Sequence, residues 1–173
     1  MPLQNRVDPF GMLHAVSARG HYMGNRGHLH DKHRQIVRHS AGKRWLTCEL
    51  NWEGERQTVF DPASRSYSQL FFLDEATAFA AGHRPCWDCR KARYKAFKLA
   101  WLAANPDRLP GGKWSADNVD DILHAERVIN HDEKVSFEAP IETLPFGTFI
   151  ARDGASFLVA ENGRILPLSL IHI

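Results

Sequence analysis

Three cysteines constrain this chain more than any other feature. Cys86 and Cys89 form a Cys-x-x-Cys pair within Pro85-Cys86-Trp87-Asp88-Cys89, and Cys48 stands alone far upstream. Three thiols cannot all pair, and the count is low for a disulfide-stapled scaffold, so thiolates kept reduced or bound to a metal are expected. A Cys-x-x-Cys hook at a turn-to-helix junction sets backbone N–H groups against its sulfurs and favours thiolate. Alone it would read equally as a redox pair or as two buried thiols. A third cysteine on a predicted strand turns the reading toward a zinc site formed by Cys48, Cys86 and Cys89. Its fourth position then decides the biochemistry, because a histidine would close a structural site and an open position would admit water or substrate.

The chain around those cysteines is long enough for one domain with its own core: 173 residues, 43% of them apolar. Twenty-two Lys and Arg against 20 Asp and Glu leave a formal charge of +2, too even a balance for a protein that coats nucleic acid through its overall field. The first residues lack the apolar stretch of a signal peptide and no run approaches membrane-spanning length, so a cytoplasmic protein without membrane contact is expected. The final residues 168–173, Leu-Ser-Leu-Ile-His-Ile, are what an in-frame transposon sequencing adapter translates to. They are therefore read as an adapter-derived tail of a metagenomic sequence, and 1–167 as the single domain.

The first half reads as β-rich, with strands at 35–38, 44–51, 56–60 and 69–72 bounded by turn residues. Residues 73–81 read as a short helix, with Asp74 as N-cap and Gly82 as the left-handed C-terminal residue. Tyr94, Phe97, Trp101 and Ala104 recur at helical spacing within 87–105, and Val119, Ile122, Leu123, Glu126 and Ile129 mark another amphipathic helix, capped by Ser115 or Asp117. Segments 147–152 and 156–161 form a closing hairpin through Asp153-Gly154. The expected class is α+β, with a mostly antiparallel small sheet, a zinc knuckle and two longer helices.

Phe71-Phe72, the alternating Ala76, Ala78 and Ala80, Ala81-Gly82, Arg84-Pro85-Cys86 and Cys89-Arg90 resemble, without a gap, the second half of the zinc-binding module of bacterial Ada methylphosphotriester repair proteins. A similar Gly-x-Arg-Pro-Cys-x-x-Cys hook occurs beside some nuclease domains. The resemblance covers residues 71–90 and implies a zinc-binding substructure more strongly than a shared function. Those modules hold the metal with four cysteines, two from an upstream turn and strand; here only Cys48 is available upstream. The whole chain is also similar to a group of small bacterial proteins with Gly-Asn-Arg-Gly, Phe-Phe-Leu-Asp-Glu-Ala and Leu-His-Ala-Glu-Arg segments, from which no function carries over.

Histidines crowd the N-terminal part: His14, His21, His28, His30, His33 and His39. His28-Leu29-His30-Asp31 follows Gly24-Asn25-Arg26-Gly27, a flexible turn expected to bring His28, His30, Arg26 and Asp31 toward substrate. Glu126 falls on the predicted apolar face of its helix, where burial would raise its pKa and suit a general acid; pairing with an arginine such as Arg84 or Arg127 is the structural alternative. His124, and Glu75 or Asp31 as a second acid/base group, are its expected helpers. His124-Ala125-Glu126 with Pro85-Cys86-x-x-Cys89 is also similar to the ligand motifs of zinc nucleoside deaminases, in the reverse order. Trp52 and Trp114, in predicted turns, are candidates for stacking on a sugar or base.

These residues lead to an expected zinc-dependent hydrolase of small-molecule or carbohydrate substrates, cleaving glycosidic bonds with carboxylate assistance. The alternative is an Ada-like nucleic-acid-binding module with a structural zinc, using the basic residues Arg90, Lys91, Arg93, Lys95 and Lys98.

Overall fold

A computed structural model describes residues 2–51, 67–130 and 133–169. Trp52, the strand expected at 56–60 and tail residues 170–173 lie outside them. The strands are β1 (Arg6–Val7), β2 (Leu13–His14), β3 (Tyr22–Asn25), β4 (Leu46–Glu49), β5 (Leu70–Phe72), β6 (Arg84–Pro85), β7 (Val128–Ile129), β8 (Glu133–Lys134), β9 (Phe149–Arg152), β10 (Ala155–Val159) and β11 (Ile165–Pro167). Three α-helices accompany them: α1 (Glu75–Ala80), α2 (Lys91–Ala104) and α3 (Ala116–Arg127). No helix among the described residues is long and apolar enough to cross a membrane.

The main sheet runs β2-β1-β5-β3-β4-β6 and is mixed, since β1 with β5 and β4 with β6 are parallel while the other neighbours are antiparallel. A three-stranded antiparallel sheet, β11-β10-β9, contains the expected closing hairpin, with Asp153 and Gly154 both at positive φ in its turn. The α+β class holds, and the sheet is more mixed than the alternation predicts.

Local chemistry sets the helix boundaries. Asp74 accepts the Thr77 N–H at 2.7 Å and starts α1 as expected. After Ala81 the chain passes through Gly82 at φ +90°, where a Cβ would also come within 2.8 Å of Arg127 Cδ. Ser115, rather than Asp117, caps α3. Ile129 belongs to β7 rather than to α3.

Two expectations are corrected. Residues 35–38 make no strand: Asp31 accepts the N–H groups of His33 and Gln35, Arg34 turns at φ +63°, and only an isolated His30–Ile36 bridge remains. Gly24 and Asn25 lie in β3, not in a flexible turn. Glycine is required there because a Cβ would fall 2.2 Å from the Leu46 carbonyl oxygen and 2.8 Å from the Phe72 ring.

The core has three parts. Val7, Leu29, Leu70, Phe72, Ala78 and Ala81 fill the space between the sheet and α1. Trp101, Leu109 and Val119 join α2 to α3, with Phe97, Trp114, Ile122 and Leu123 around them. The third part, Met23, Cys48 and Cys86 with Leu46, Tyr67, Phe71 and Cys89, surrounds the sulfurs.

Candidate metal centre

Cys48 sits in β4 opposite Met23 of β3, on a strand flanked on both sides. Beyond it, β6 pairs in parallel through Leu46↔Arg84 and Thr47↔Pro85, and the Cys86 N–H continues that ladder to the Thr47 carbonyl at 2.9 Å. The parallel register therefore carries the hook to Cys48. Chain reversal through Trp87 and Asp88 returns Cys89 to the start of α2, and the three sulfurs lie within 4.8 Å of one another.

One of the three sulfurs, that of Cys86, is prepared as a thiolate. Hydrogen bonds from the Cys48 and Cys89 thiols pull the Cys86 pKa far below the usual thiol value, and the backbone N–H groups of Cys89 and Asp88 pull the same way. Cys48, donating to Cys86 and Cys89 in an apolar site, is pushed up strongly. Cys89 is also raised: its bond with Cys48 lowers it, but the Cys86 thiolate and burial outweigh that. In the metal-free protein the three sulfurs thus share negative charge poorly. A divalent cation is what such a set accommodates, and three soft donors at this separation fit zinc. Among the described residues no histidine or carboxylate lies within 4.8 Å of all three sulfurs, although the Cys86 thiol faces Asp88 Oδ2 at 4.0 Å.

Arg90, directly after Cys89, fastens the hook. Its guanidinium bonds Glu49 of β4 at 3.1 Å and Glu75 of α1 at 2.6 Å, and lies 4.3 Å from the centre of the Tyr22 ring. Arg93 also binds Glu75. Although burial opposes it, these arginines hold the Glu75 pKa below the ordinary carboxyl value. Glu75, expected as a second acid/base group, is engaged by both arginines.

The other expected residues are dispersed. Glu126 is not buried: about half exposed, it pairs with Arg108 on the surface. The buried stripe of α3 instead passes through Val119, Asp120 and Arg127. His124 turns its ring edge toward Trp45 at 5.9 Å and its Nδ1 toward Arg127, so it does not join the cysteines as the deaminase-like pairing of motifs requires. Asp31 ties its own turn, and the Gln35 N–H lowers its pKa, with desolvation opposing and the His33 N–H adding to the lowering.

His30 is buried and meets Ser68 Oγ at 2.6 Å, the same oxygen that accepts the Leu29 N–H; His28 packs against it at 4.5 Å. Arg26, wholly buried, donates to the Gly11 carbonyl and covers Trp45 at 4.9 Å, so it does not face solvent as a substrate contact would. Trp114 is a core residue, with its N–H on the Tyr94 hydroxyl and its ring against Trp101.

Sequence reasoning missed a buried cationic group around Trp45. Arg127 stacks over that ring at 4.2 Å, and His83 packs between Trp45 and Phe72. The signal was available in His83-Arg84 of the hook, but nothing local marks its meeting with Arg26 or Arg127. No family model, no curated protein and no solved structure matches the chain.

Proposed function

We propose that this chain is a zinc-stabilised nucleic-acid-binding module, in which Cys48, Cys86 and Cys89 hold a structural metal and the hook presents Trp87 beside the lysines of α2. The exposed Trp87 indole carries this reading. It stands between two metal-ligating cysteines, keeps 49% of its surface exposed, and is braced edge-on by Tyr94 at 5.1 Å. A rigid, half-open aromatic ring is a stacking platform for an unpaired base. Lys91 and Lys95, one turn apart on α2, are exposed. Lys98 lies further along, over Trp114.

The apolar shell of Met23, Leu46, Tyr67 and Phe71 favours a structural metal, since water activation needs polar partners around the metal. The basic face is narrower than the sequence implies, because Arg90 and Arg93 are committed to Glu49 and Glu75. Three lysines give a salt dependence of about −2 in log K against log salt for a single strand. Anisotropy titration of a labelled single-stranded oligonucleotide tests the proposal. Trp87→Ala should weaken binding by roughly 5- to 150-fold, the range of one base stack. Absence of salt-dependent binding, or equal binding by wild type and Trp87→Ala, would overturn it.

A zinc-dependent hydrolase acting on glycosidic bonds is the second reading, favoured by one observation: no fourth protein donor among the described residues lies within 4.8 Å of all three sulfurs. Chelator-sensitive turnover of chromogenic glycosides, reduced by Glu126→Gln, would support it.

A further inference from the structure

We propose that residues 136–146 form a docking arm for a second copy of this chain: Phe137 and Phe146 of one protomer lie on the exposed face of α2 in its partner, and Glu138 and Glu142 meet Lys91 and Lys95 there. Every residue from 136 to 143 is exposed. Phe137 and Phe146 keep 83% and 70% of their surface in solvent, more than any other large apolar side chain among the described residues, and Ile141 between them keeps 42%. Two such rings in one short segment make a patch, not a scatter of single apolar residues.

The arm is held in shape by its own bonds. Thr143 donates its N–H and its hydroxyl to the Pro140 carbonyl at 3.0 and 2.7 Å. The Leu144 N–H bonds the Ile141 carbonyl at 3.1 Å, and the Thr148 N–H bonds that of Pro145 at 3.2 Å. Pro140 and Pro145 fix two further φ angles. A segment fixed in this way gives up little conformational freedom on docking, and its largest apolar side chains are already in water.

Charge selects the occupant. Residues 136–146 carry two glutamates and no lysine or arginine. The open face of α2 is the complement: Lys91, Lys95 and Leu99 follow one another at i, i+4 and i+8 along one ridge, beside the exposed Ala92 and Ala96. Leu99 is itself 67% exposed. Glu138, Glu142, Lys91 and Lys95 enter no ion pair among the described residues. By contrast, the exposed Lys43, Arg44, Arg93 and Arg108 are paired within the protomer. Opposite charges around apolar surface on both sides fix partner and orientation together.

Val135, at the root of the arm, lines the same cleft as Phe97 of α2. The arm thus starts beside that helix, and a two-fold axis lets each arm reach the other protomer's α2 and closes the pair. One consequence rests on the nucleic-acid reading above: the arm and a single strand compete for Lys91 and Lys95, so self-association regulates that site.

Sedimentation velocity of the zinc-loaded protein from about 10 µM to 1 mM, at low salt and without nucleic acid, tests the arm separately from that reading. The expected result is a reversible monomer–dimer equilibrium with a dissociation constant on the order of 100 µM, as for a small transient interface. Phe137→Ser with Phe146→Ser should weaken it at least about tenfold, and so should Lys91→Glu with Lys95→Glu. Glu138→Lys with Glu142→Lys should weaken it alike, and mixing that variant with the Lys91→Glu, Lys95→Glu variant should restore a dimer, because both contacts of the mixed pair then join opposite charges. Restoration also shows that both variants are folded. Protein that stays monomeric throughout, a dimer unaffected by the phenylalanine or the lysine substitutions, or no association in the mixture would overturn the proposal.

Discussion

Arg84 and Asp120 meet in the interior through two hydrogen bonds of 2.7 and 2.6 Å, with side chains only 4% and 3% exposed. Arg84 lies two residues before Cys86, and Asp120 lies on α3, so one ion pair joins the metal hook to that helix. Tyr94 of α2 covers the guanidinium at 5.5 Å.

Removing one member of that pair should be severe. Asp120→Asn leaves a buried guanidinium without its counter-charge, and the expected loss of stability is about 3–5 kcal/mol. Arg44, at the rim 3.9 Å from Asp120, is a second cation that loses the same partner. Urea denaturation measures the change. A loss below about 1 kcal/mol would show that Arg84 is solvated in solution.

Glu75 gives stability a pH signature. Its folded pKa lies below that of the free carboxyl, so the unfolded chain takes up the proton first as pH falls. The stabilisation it supplies is complete above about pH 4.3, the free carboxyl value, and disappears as pH drops through the lower folded value. The difference in stability between wild type and Glu75→Gln should therefore be largest near neutrality and shrink in acid. A difference that grows below pH 4 would contradict the ion pairs with Arg90 and Arg93.

What the sequence revealed follows from the range of the interactions involved. Asp74, Gly82 and Ser115 act within a few residues of themselves, and the helix ends they mark appear where expected. The cysteines were legible because thiolate chemistry restricts what three of them do together. Glu126 misled because an apolar pattern identifies a buried face only when that face is apolar. Here Asp120 and Arg127 occupy buried positions of α3, the first on Arg84 and the second on Trp45 and two carbonyls, and Glu126 falls outside their stripe. His30 and Ser68 are likewise 38 residues apart, a contact that local pattern does not encode. Gly24 read as a hinge, whereas its strand needs glycine for close approach to β4 and Phe72.

Metal content of the purified protein is the most direct measurement of the central claim. Elemental analysis of protein prepared without added metal should find about one zinc per chain, and Cys48→Ser should lose most of it, because the free energy of a structural zinc site depends on each thiolate. Cys86→Ser and Cys89→Ser should behave alike, since all three sulfurs lie within 4.8 Å of one another. Wild-type protein without zinc, or a Cys48→Ser variant that keeps a full equivalent, would contradict the three-cysteine centre.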